Sequence, residues 1–291
     1  MEYINKNPFS LYDFLGYFIP GAFFCYLLAI TFNLEGFACF NFNLFDGLRA
    51  FDRSVAFVII SYVLGHALNY LSSLTIERYS IWSIGYPSRF ILGEKQSCYL
   101  KKLNNKDDPE EKKRRKKELC ISHMWRLLLL IVILPIYIID IVAGKLLGFR
   151  NYYTNSVDPT LKKIIEKRIK QFKIKHKFTI SSEGDYFRVI WHYYYENFGP
   201  HMVKLDKYVA LYGFTRSVSF IFCAYSWIIL ITLLLHGISL YYFLIGYFLS
   251  SILSYIFYIA FVKFYRRFTL EGFMCLVIDK DLAEINVDNK N

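Results

Sequence analysis

Residues 217–235 read SVSFIFCAYSWIILITLLL and residues 240–262 read LYYFLIGYFLSSILSYIFYIAFV, two runs without a charged side chain. A helix of about 20 apolar residues crosses the hydrocarbon core of a bilayer, which is roughly 30 Å thick. Only four residues link the two runs, which leaves no room for a further element between them. The pattern therefore predicts a transmembrane hairpin of two antiparallel helices.

Two further uncharged runs lie near the N-terminus, at residues 14–33 and 54–76. They predict a first transmembrane hairpin over residues 14–76, and the second then covers residues 217–262. The composition, 55% hydrophobic and 20% aromatic, excludes an ordinary soluble domain of this length. The N-terminus lacks the basic region and cleavage site of a secretory signal, so we expect the first span to be retained.

The net charge of the chain, +11, is concentrated between the second and third spans. Of the 35 Lys and Arg residues, 13 lie between residues 77 and 126 and 14 between residues 145 and 216. Because Lys-rich and Arg-rich loops stay on the cytoplasmic side, residues 77–216 are predicted to be cytoplasmic, as are residues 1–13 and 263–291. The predicted fold is an all-α, multi-pass inner-membrane protein with four transmembrane helices. A basic, mainly helical cytoplasmic domain is inserted between the second and third.

A fifth apolar stretch, LLLLIVILPIYII at residues 127–139, is too short for a typical span and contains Pro135. We predict that residues 127–149 form an interfacial or re-entrant segment, because a crossing would leave one basic block outside. A five-span topology is the alternative. Asp140, Lys145 and Arg216 are candidate polar groups near the inner interface. We expect the Asp140 carboxylate to reach water or to pair with Lys145, rather than to act as a buried functional acid.

Asp158 and Pro159 have the residue types of a helix N-terminus and precede TLKKIIEKRIKQFKIKHKF, residues 160–178. Apolar residues recur there at helical spacing among bases, which predicts a basic amphipathic helix. It either attaches to anionic lipid headgroups or packs its apolar face within the cytoplasmic domain. The candidate headgroup-binding residues are Lys162, Lys163, Lys167, Arg168, Lys170 and Lys173.

Two other parts of the basic domain carry weaker structural signals. Asp108 and Pro109 predict the start of a solvated helix that contains KKRRKK at residues 112–117. Residues 178–216 predict a compact helical region with at most a short strand.

The second span contains a line of polar side chains on one helical face. Its members are Tyr62, His66, Asn69 and Ser73. One interpretation is a pore lining, proton path or ligand contact; the interpretation we favour is hydrogen bonding to neighbouring helices. In the first span, Gly16, Pro20 and Gly21 predict close helix packing or a kink.

No sequence pattern identifies a reaction. The six cysteines are scattered without a CxxC pair, and no HExxH, GxSxG or paired-carboxylate pattern occurs. We therefore predict no catalytic residue, metal or cofactor. The basic charge would suit nucleic acid, but no RNA-binding motif or phosphate-binding glycine loop accompanies it, so nucleic acid is not expected as a partner.

Several motifs occur together in the chain: LYDFLGYFIPG at the first span, LGHALNYLSS in the second, and GYPSR after it. YGFTRS and FYRRFT flank the C-terminal hairpin. In this the chain resembles an uncharacterised group of bacterial four-span inner-membrane proteins. The resemblance implies the four-span topology and suggests a role in antiviral defence, but it implies no activity. The apolar insert around Pro135 departs from the group.

Two hypotheses of function follow. In the first, the chain is a non-enzymatic membrane protein that self-associates or binds a partner protein, contacts anionic lipids and responds through its cytoplasmic domain. It would then act as a membrane-perturbing or pore-like effector or as a signalling module. In the alternative, the chain is a membrane enzyme or carrier for lipid-like substrates near the inner interface. His66, Asp140 and Arg216 would supply its polar groups.

Overall fold

The structure is a computed structural model, and it describes residues 13–34, 50–94, 99, 109–177, 185–197, 199–236 and 239–283. Residues 1–12 of the predicted N-terminal segment, together with Cys39, Cys98 and Asp108, lie outside the described residues. Residues 178–184, the first part of the region 178–216 for which a short strand was left open, also lie outside them. Within the described ranges the chain is helical apart from short connections and has no strand, which confirms the all-α class.

The helices are numbered here in chain order. They are α1 (Ile19–Leu34), α2 (Ala50–Ser72), α3 (Arg78–Ser83), α4 (Pro87–Phe90), α5 (Pro109–Val132), α6 (Leu134–Ile139), α7 (Phe149–Thr154), α8 (Pro159–His176), α9 (Phe187–Asn197), α10 (Gly199–His236), α11 (Leu240–Ile278) and α12 (Lys280–Ala283). Three π-helical turns join or extend them: Phe14–Phe18, Ser73–Glu77 and Asp140–Leu146.

In the part of the chain that the structure describes, four helical stretches are long and apolar enough to cross a membrane: Phe14–Thr31, Phe51–Phe90, Val203–Leu235 and Leu240–Ile278. They correspond to the four predicted spans and confirm them as candidate transmembrane helices by length and composition. A fifth candidate would consist of Cys120–Val132 and Leu134–Leu146 together, although the two parts are bent by 87°.

The third and fourth of these helices extend beyond the predicted spans. α10 has 38 residues and α11 has 39, so each is about 57 Å long or slightly more. The uncharged runs gave shorter limits, at residues 217–235 and 240–262. Charged residues mark where a helix leaves lipid, but they do not end it, because its backbone hydrogen bonds are made within the helix.

The described chain divides into two compact units. The membrane unit comprises Met1–Glu77 and Val209–Phe261, and the basic unit comprises Arg78–Tyr208 and Val262–Asn291. The basic unit thus combines most of the predicted inserted domain with the C-terminal segment. α10 and α11 each contain residues of both units.

In the membrane unit, α1 packs against α2 at two glycines. A Cβ atom added to Gly21 would overlap the backbone oxygen of Ser61, and one added to Gly65 would overlap the backbone oxygen of Tyr17. Gly16 and Pro20 are buried in the same part of the unit. Glycine is therefore required at both contact points, because the colliding atoms belong to the backbone.

α10 and α11 contact each other in the membrane unit through buried serines. The Ser219 hydroxyl donates to the Ser254 carbonyl at 2.9 Å, and the Ser254 hydroxyl donates to the Ser219 carbonyl at 2.7 Å. Further along, the Ser226 and Ser250 hydroxyls are 2.8 Å apart. Small residues of this kind let helix backbones approach closely in lipid.

The basic unit is built around aromatic and aliphatic side chains. Ile165 and Phe172 of α8 are buried together with Tyr194 of α9. Phe187 lies against Gly272, and its ring meets that of Phe273 at 5.4 Å between centroids. α8, α9 and the C-terminal part of α11 therefore share one core.

Candidate functional site

The main polar cluster of the membrane unit surrounds Arg216 of α10, which is 7% exposed. Its guanidinium forms an ion pair with Glu77, and it donates hydrogen bonds to the Asn69 side-chain oxygen and, at 3.2 Å, to the Ser72 hydroxyl. The Ser72 hydroxyl in turn donates to the Asn69 carbonyl at 2.8 Å. We call these four residues the Arg216 cluster.

The Arg216 cluster provides polar partners for a buried charge. An ionised side chain inside a membrane is costly unless it pairs with another group or reaches water. Asn69 and Ser72 lie in the last turn of α2, and Glu77 ends the π-helical turn that follows. Arg216 was predicted to lie at the inner interface; the structure buries it in the membrane unit and gives it three partners.

The other members of the polar line do not join this cluster. His66 is exposed, and its ring stacks on Tyr17 at 3.8 Å and meets the half-buried Tyr62 edge-on at 4.6 Å. The Ser73 hydroxyl donates to the carbonyl of Tyr70 in its own helix. Of the four polar-line residues, Asn69 alone has a hydrogen bond to another helix among those described. The line is therefore not one continuous polar surface.

A second buried cluster lies in the basic unit around Asp140, the first residue of a π-helical turn. Asp140 is 0% exposed. It accepts a hydrogen bond of 2.5 Å from the Tyr79 hydroxyl and forms an ion pair with Arg150. The expectation that Asp140 reaches water or pairs with Lys145 is wrong. Lys145 is exposed, and α7 brings Arg150 to the carboxylate.

Arg126 of α5 is buried beside the same short helix, α3. Its guanidinium lies over the Trp82 ring at 4.7 Å and over the Tyr99 ring at 5.8 Å, and it donates to the Tyr99 carbonyl. Cation–π contacts of this kind stabilise a guanidinium that has been removed from water. Arg126 and Asp140 lie on opposite sides of the bend between α5 and α6, and both contact α3.

The predicted basic amphipathic helix is α8, and its N-terminus is capped as its sequence indicates. The Asp158 carboxylate accepts hydrogen bonds from the backbone N–H groups of Thr160 and Leu161. Its apolar face, which includes Ile165 and Ile169, is buried within the basic unit. Protein therefore occupies that face, and insertion of it into lipid would require the unit to open.

The candidate headgroup-binding residues of α8 differ in exposure. Lys163, Lys167 and Lys170 are exposed, whereas Lys162, Arg168 and Lys173 are half-buried. Lys162 lies 3.8 Å from Glu166, and Arg168 donates to the Gln171 side chain at 3.3 Å. The three exposed lysines remain available to a negatively charged surface.

Sequence reasoning missed two acids in the basic unit, the half-buried Asp185 and the buried Asp279. Asp185 accepts a hydrogen bond from the Ser88 hydroxyl at 3.0 Å, and burial raises its pKa although this bond opposes the shift. Asp279, which is 1% exposed, accepts a hydrogen bond of 2.9 Å from Tyr194. The motif GYPSR contains Ser88, and it was the available signal for the first contact. No short motif announces the second.

A cleft of about 140 Å³ lies between α10 and α11 in the basic unit. It is lined by Lys204, Leu205, Glu271, Met274, Cys275 and Ile278. Lys204 and Glu271 form an ion pair at 2.8 Å across it. None of the polar residues that the sequence nominated lines this cleft.

Among the residues that the structure describes, no group of three or more His, Cys, Asp or Glu side chains could hold a metal ion. Compared with known proteins, the chain matches no protein family, no curated protein and no solved structure. Its function must therefore be argued from its own residues.

Proposed function

We propose that this chain is a non-enzymatic inner-membrane protein that perturbs the membrane, as a pore-like effector or signalling module, in response to a signal received by the basic unit. The Arg216 cluster carries the proposal. In our view it holds the spans in a closed arrangement. The termini and the basic unit would be cytoplasmic, and a role in bacterial antiviral defence is part of the same proposal.

The cluster suits such a role because its charged groups, once separated, have to be hydrated. Removing one partner of a buried ion pair costs about 3–5 kcal/mol, since the other charge stays unpaired in an apolar region. If Arg216 and Glu77 separate, both must be hydrated. A broken cluster therefore introduces water between α2 and α10, and a hydrated path among spans is what a leak of ions needs.

Helix continuity offers a route for the signal. α10 begins at Gly199 in the basic unit and contains Arg216 seventeen residues later without a break. A displacement of its first turns would therefore act on the helix that carries the guanidinium.

Self-association is the second part of the proposal, and α11 offers a surface for it. Exposed apolar residues follow one another there at helical spacing: Ile245, Phe248, Leu249, Ile252 and Ile256. Such a face contacts lipid in a monomer and can contact a second copy in an oligomer, because helices associate in membranes mainly by close packing.

The test is membrane potential in cells that express the chain, followed with a potential-sensitive dye. Arg216→Gln should depolarise cells at a lower expression level than the unchanged protein, because the cluster no longer closes. Arg267→Gln is the matched control, since Arg267 is exposed on α11. Absence of depolarisation under every condition, together with a strictly monomeric state in detergent, would contradict the proposal.

The alternative, an enzyme or carrier for lipid-like substrates, is favoured by one observation: the mainly apolar cleft crossed by the Lys204–Glu271 ion pair. Two of its nominated polar groups, Asp140 and Arg216, are already engaged with protein partners. Met274→Trp should fill the cleft. If that change removed co-purifying lipid and abolished the phenotype of the chain, the alternative would be preferred.

A further inference from the structure

The apolar segment around Pro135 is attached on both sides of its bend to one short helix. Before the bend, the Arg126 guanidinium lies 4.7 Å from the centre of the Trp82 ring. After the bend, the Asp140 carboxylate lies 2.5 Å from the Tyr79 hydroxyl. Tyr79 and Trp82 both belong to α3, and along its axis they are separated by only about 4.5 Å.

These two attachments limit how far the segment can reach. From Arg126 to the end of α5, and from the start of α6 to Asp140, each arm has six or seven residues, which is about 10 Å of helix. The arms meet at an angle of 87° next to Pro135. The bend therefore lies about 10 Å from either attachment, whereas a crossing requires roughly 30 Å.

The two faces of the bent segment differ in character. The face toward the basic unit is buried and contains Arg126 and Asp140 with their partners. The opposite face is apolar and exposed. Six exposed residues at helical spacing represent it: Trp125, Leu128 and Ile131 on α5, and Ile138, Val142 and Leu146 after the bend. A surface of this kind needs an apolar partner.

We propose that residues 120–146 form a re-entrant element whose outer face inserts among the acyl chains of one leaflet and whose two ends lie on the same side of the membrane. Bases stand near both ends, the run at residues 112–117 before it and the exposed Lys145 within its last turn, where anionic headgroups would meet them. This interaction requires only that the protein resides in a membrane. It does not depend on the proposed effector function.

The first test measures depth in the bilayer. Single cysteines at Leu128, Ile131, Val142 and Leu146 of a cysteine-free full-length chain are spin-labelled in vesicles of phosphatidylcholine and phosphatidylglycerol at 3:1. We expect oxygen, which dissolves in the bilayer, to relax these labels, and a water-soluble nickel chelate not to relax them. The label at Ile131 should lie deepest. Val189→Cys is the matched control, because Val189 and Val142 are 50% and 51% exposed. Equal access of the nickel chelate to these two positions would overturn the proposal.

The same depth profile separates a re-entrant element from a span. A re-entrant element gives depths that rise toward the bend and fall again by Leu146. A steady progression from one surface to the other would show a crossing and would also overturn the proposal. An impermeant maleimide should label Glu118→Cys and Asn151→Cys from the same side of the membrane.

If the cysteine-free chain does not fold, tryptophan fluorescence of the chain with its own cysteines tests the same proposal. Brominated lipids quench tryptophans that lie among acyl chains. Replacing Trp125 by Phe should then remove much of the quenchable fluorescence, whereas Trp191→Phe should not. Equal losses from the two substitutions would count against insertion. Neither result bears on depolarisation, so this proposal and the effector proposal can fail separately.

Discussion

Replacing Asp140 or Arg150 should destabilise the basic unit far more than replacing Lys145, the partner that proximity in sequence suggested. Asp140 is 0% exposed and the Arg150 side chain is 14% exposed, so this ion pair is largely removed from water. Asp140→Asn keeps an oxygen that can accept the Tyr79 hydroxyl, and therefore removes the charge alone. Arg150→Met keeps a chain of similar length and removes the opposite charge.

The expected magnitude follows from leaving one charge unpaired. Breaking a buried ion pair from one side costs about 3–5 kcal/mol. A loss of 1 kcal/mol lowers Tm by roughly 2–4 °C for a unit of 150–250 residues, so each single variant should lose about 6–20 °C. The double variant Asp140→Asn with Arg150→Met buries no net charge. It should therefore be more stable than the sum of the single losses predicts.

The assay is thermal unfolding of the detergent-solubilised chain, followed by tryptophan fluorescence. Lys145→Met is the control, and we expect a change within about 1 °C, since exposed charges contribute little. The reasoning would be refuted if Lys145→Met lost as much as Arg150→Met. It would be refuted equally if the losses of the two single variants simply added in the double variant.

Three further substitutions test other parts of the structure, each with unfolding as its measurement. Gly21→Ala should lower the free energy of unfolding by about 1–3 kcal/mol, because the new methyl group overlaps a backbone oxygen of α2. Gly246→Ala should be tolerated, because the nearest neighbour there is a side-chain methyl at 3.3 Å. Equal losses of stability would contradict the close approach of α1 and α2. Asp158→Ala removes the N-cap of α8 and should cost about 1 kcal/mol, whereas Asp158→Ser should cost much less. His176 is exposed, but partial loss of water around its ring, and then the Lys175 charge, lower its pKa below the usual 6.5. The unfolded chain therefore takes up that proton first, and stability should fall slightly as pH drops below about 6.5. His176→Gln should weaken this dependence, and an unchanged pH profile would contradict the assignment.

The sequence predicted those features that depend on one segment of the chain at a time, namely the candidate spans and a helix N-terminus. Uncharged runs of about 20 residues identified the four candidate spans, because the cost of a charge in hydrocarbon acts on each helix separately. Asp158 followed by Pro159 located the start of α8 for the same reason, since a cap involves only the neighbouring backbone. The helix ends in α10 and α11 were less predictable, because a helix continues through charged residues once it leaves lipid.

Contacts between distant segments were beyond these patterns. Asp140 was expected to reach water or to pair with the base five residues away, but α7 turns the chain back and supplies Arg150 instead. Arg216 was recognised as a polar group near a span, while its link to Asn69, 147 residues away, required the packing of α10 on α2. The same is true of α8: its pattern predicted an amphipathic helix, but whether lipid or protein covers the apolar face depends on the rest of the unit.

The carboxylates that pair with Arg216 and Arg150 both belong to π-helical turns, Glu77 at the end of one and Asp140 at the start of another. A π-helical turn contains one residue more than the α-helix would use for the same path. Each residue of an α-helix turns the chain by about 100°, so if Ser73–Glu77 formed a regular α-helix instead, Glu77 would be rotated away from Arg216 without a change in either side chain. The backbone geometry of this turn therefore determines the ion pair as much as the chemistry of its two side chains does.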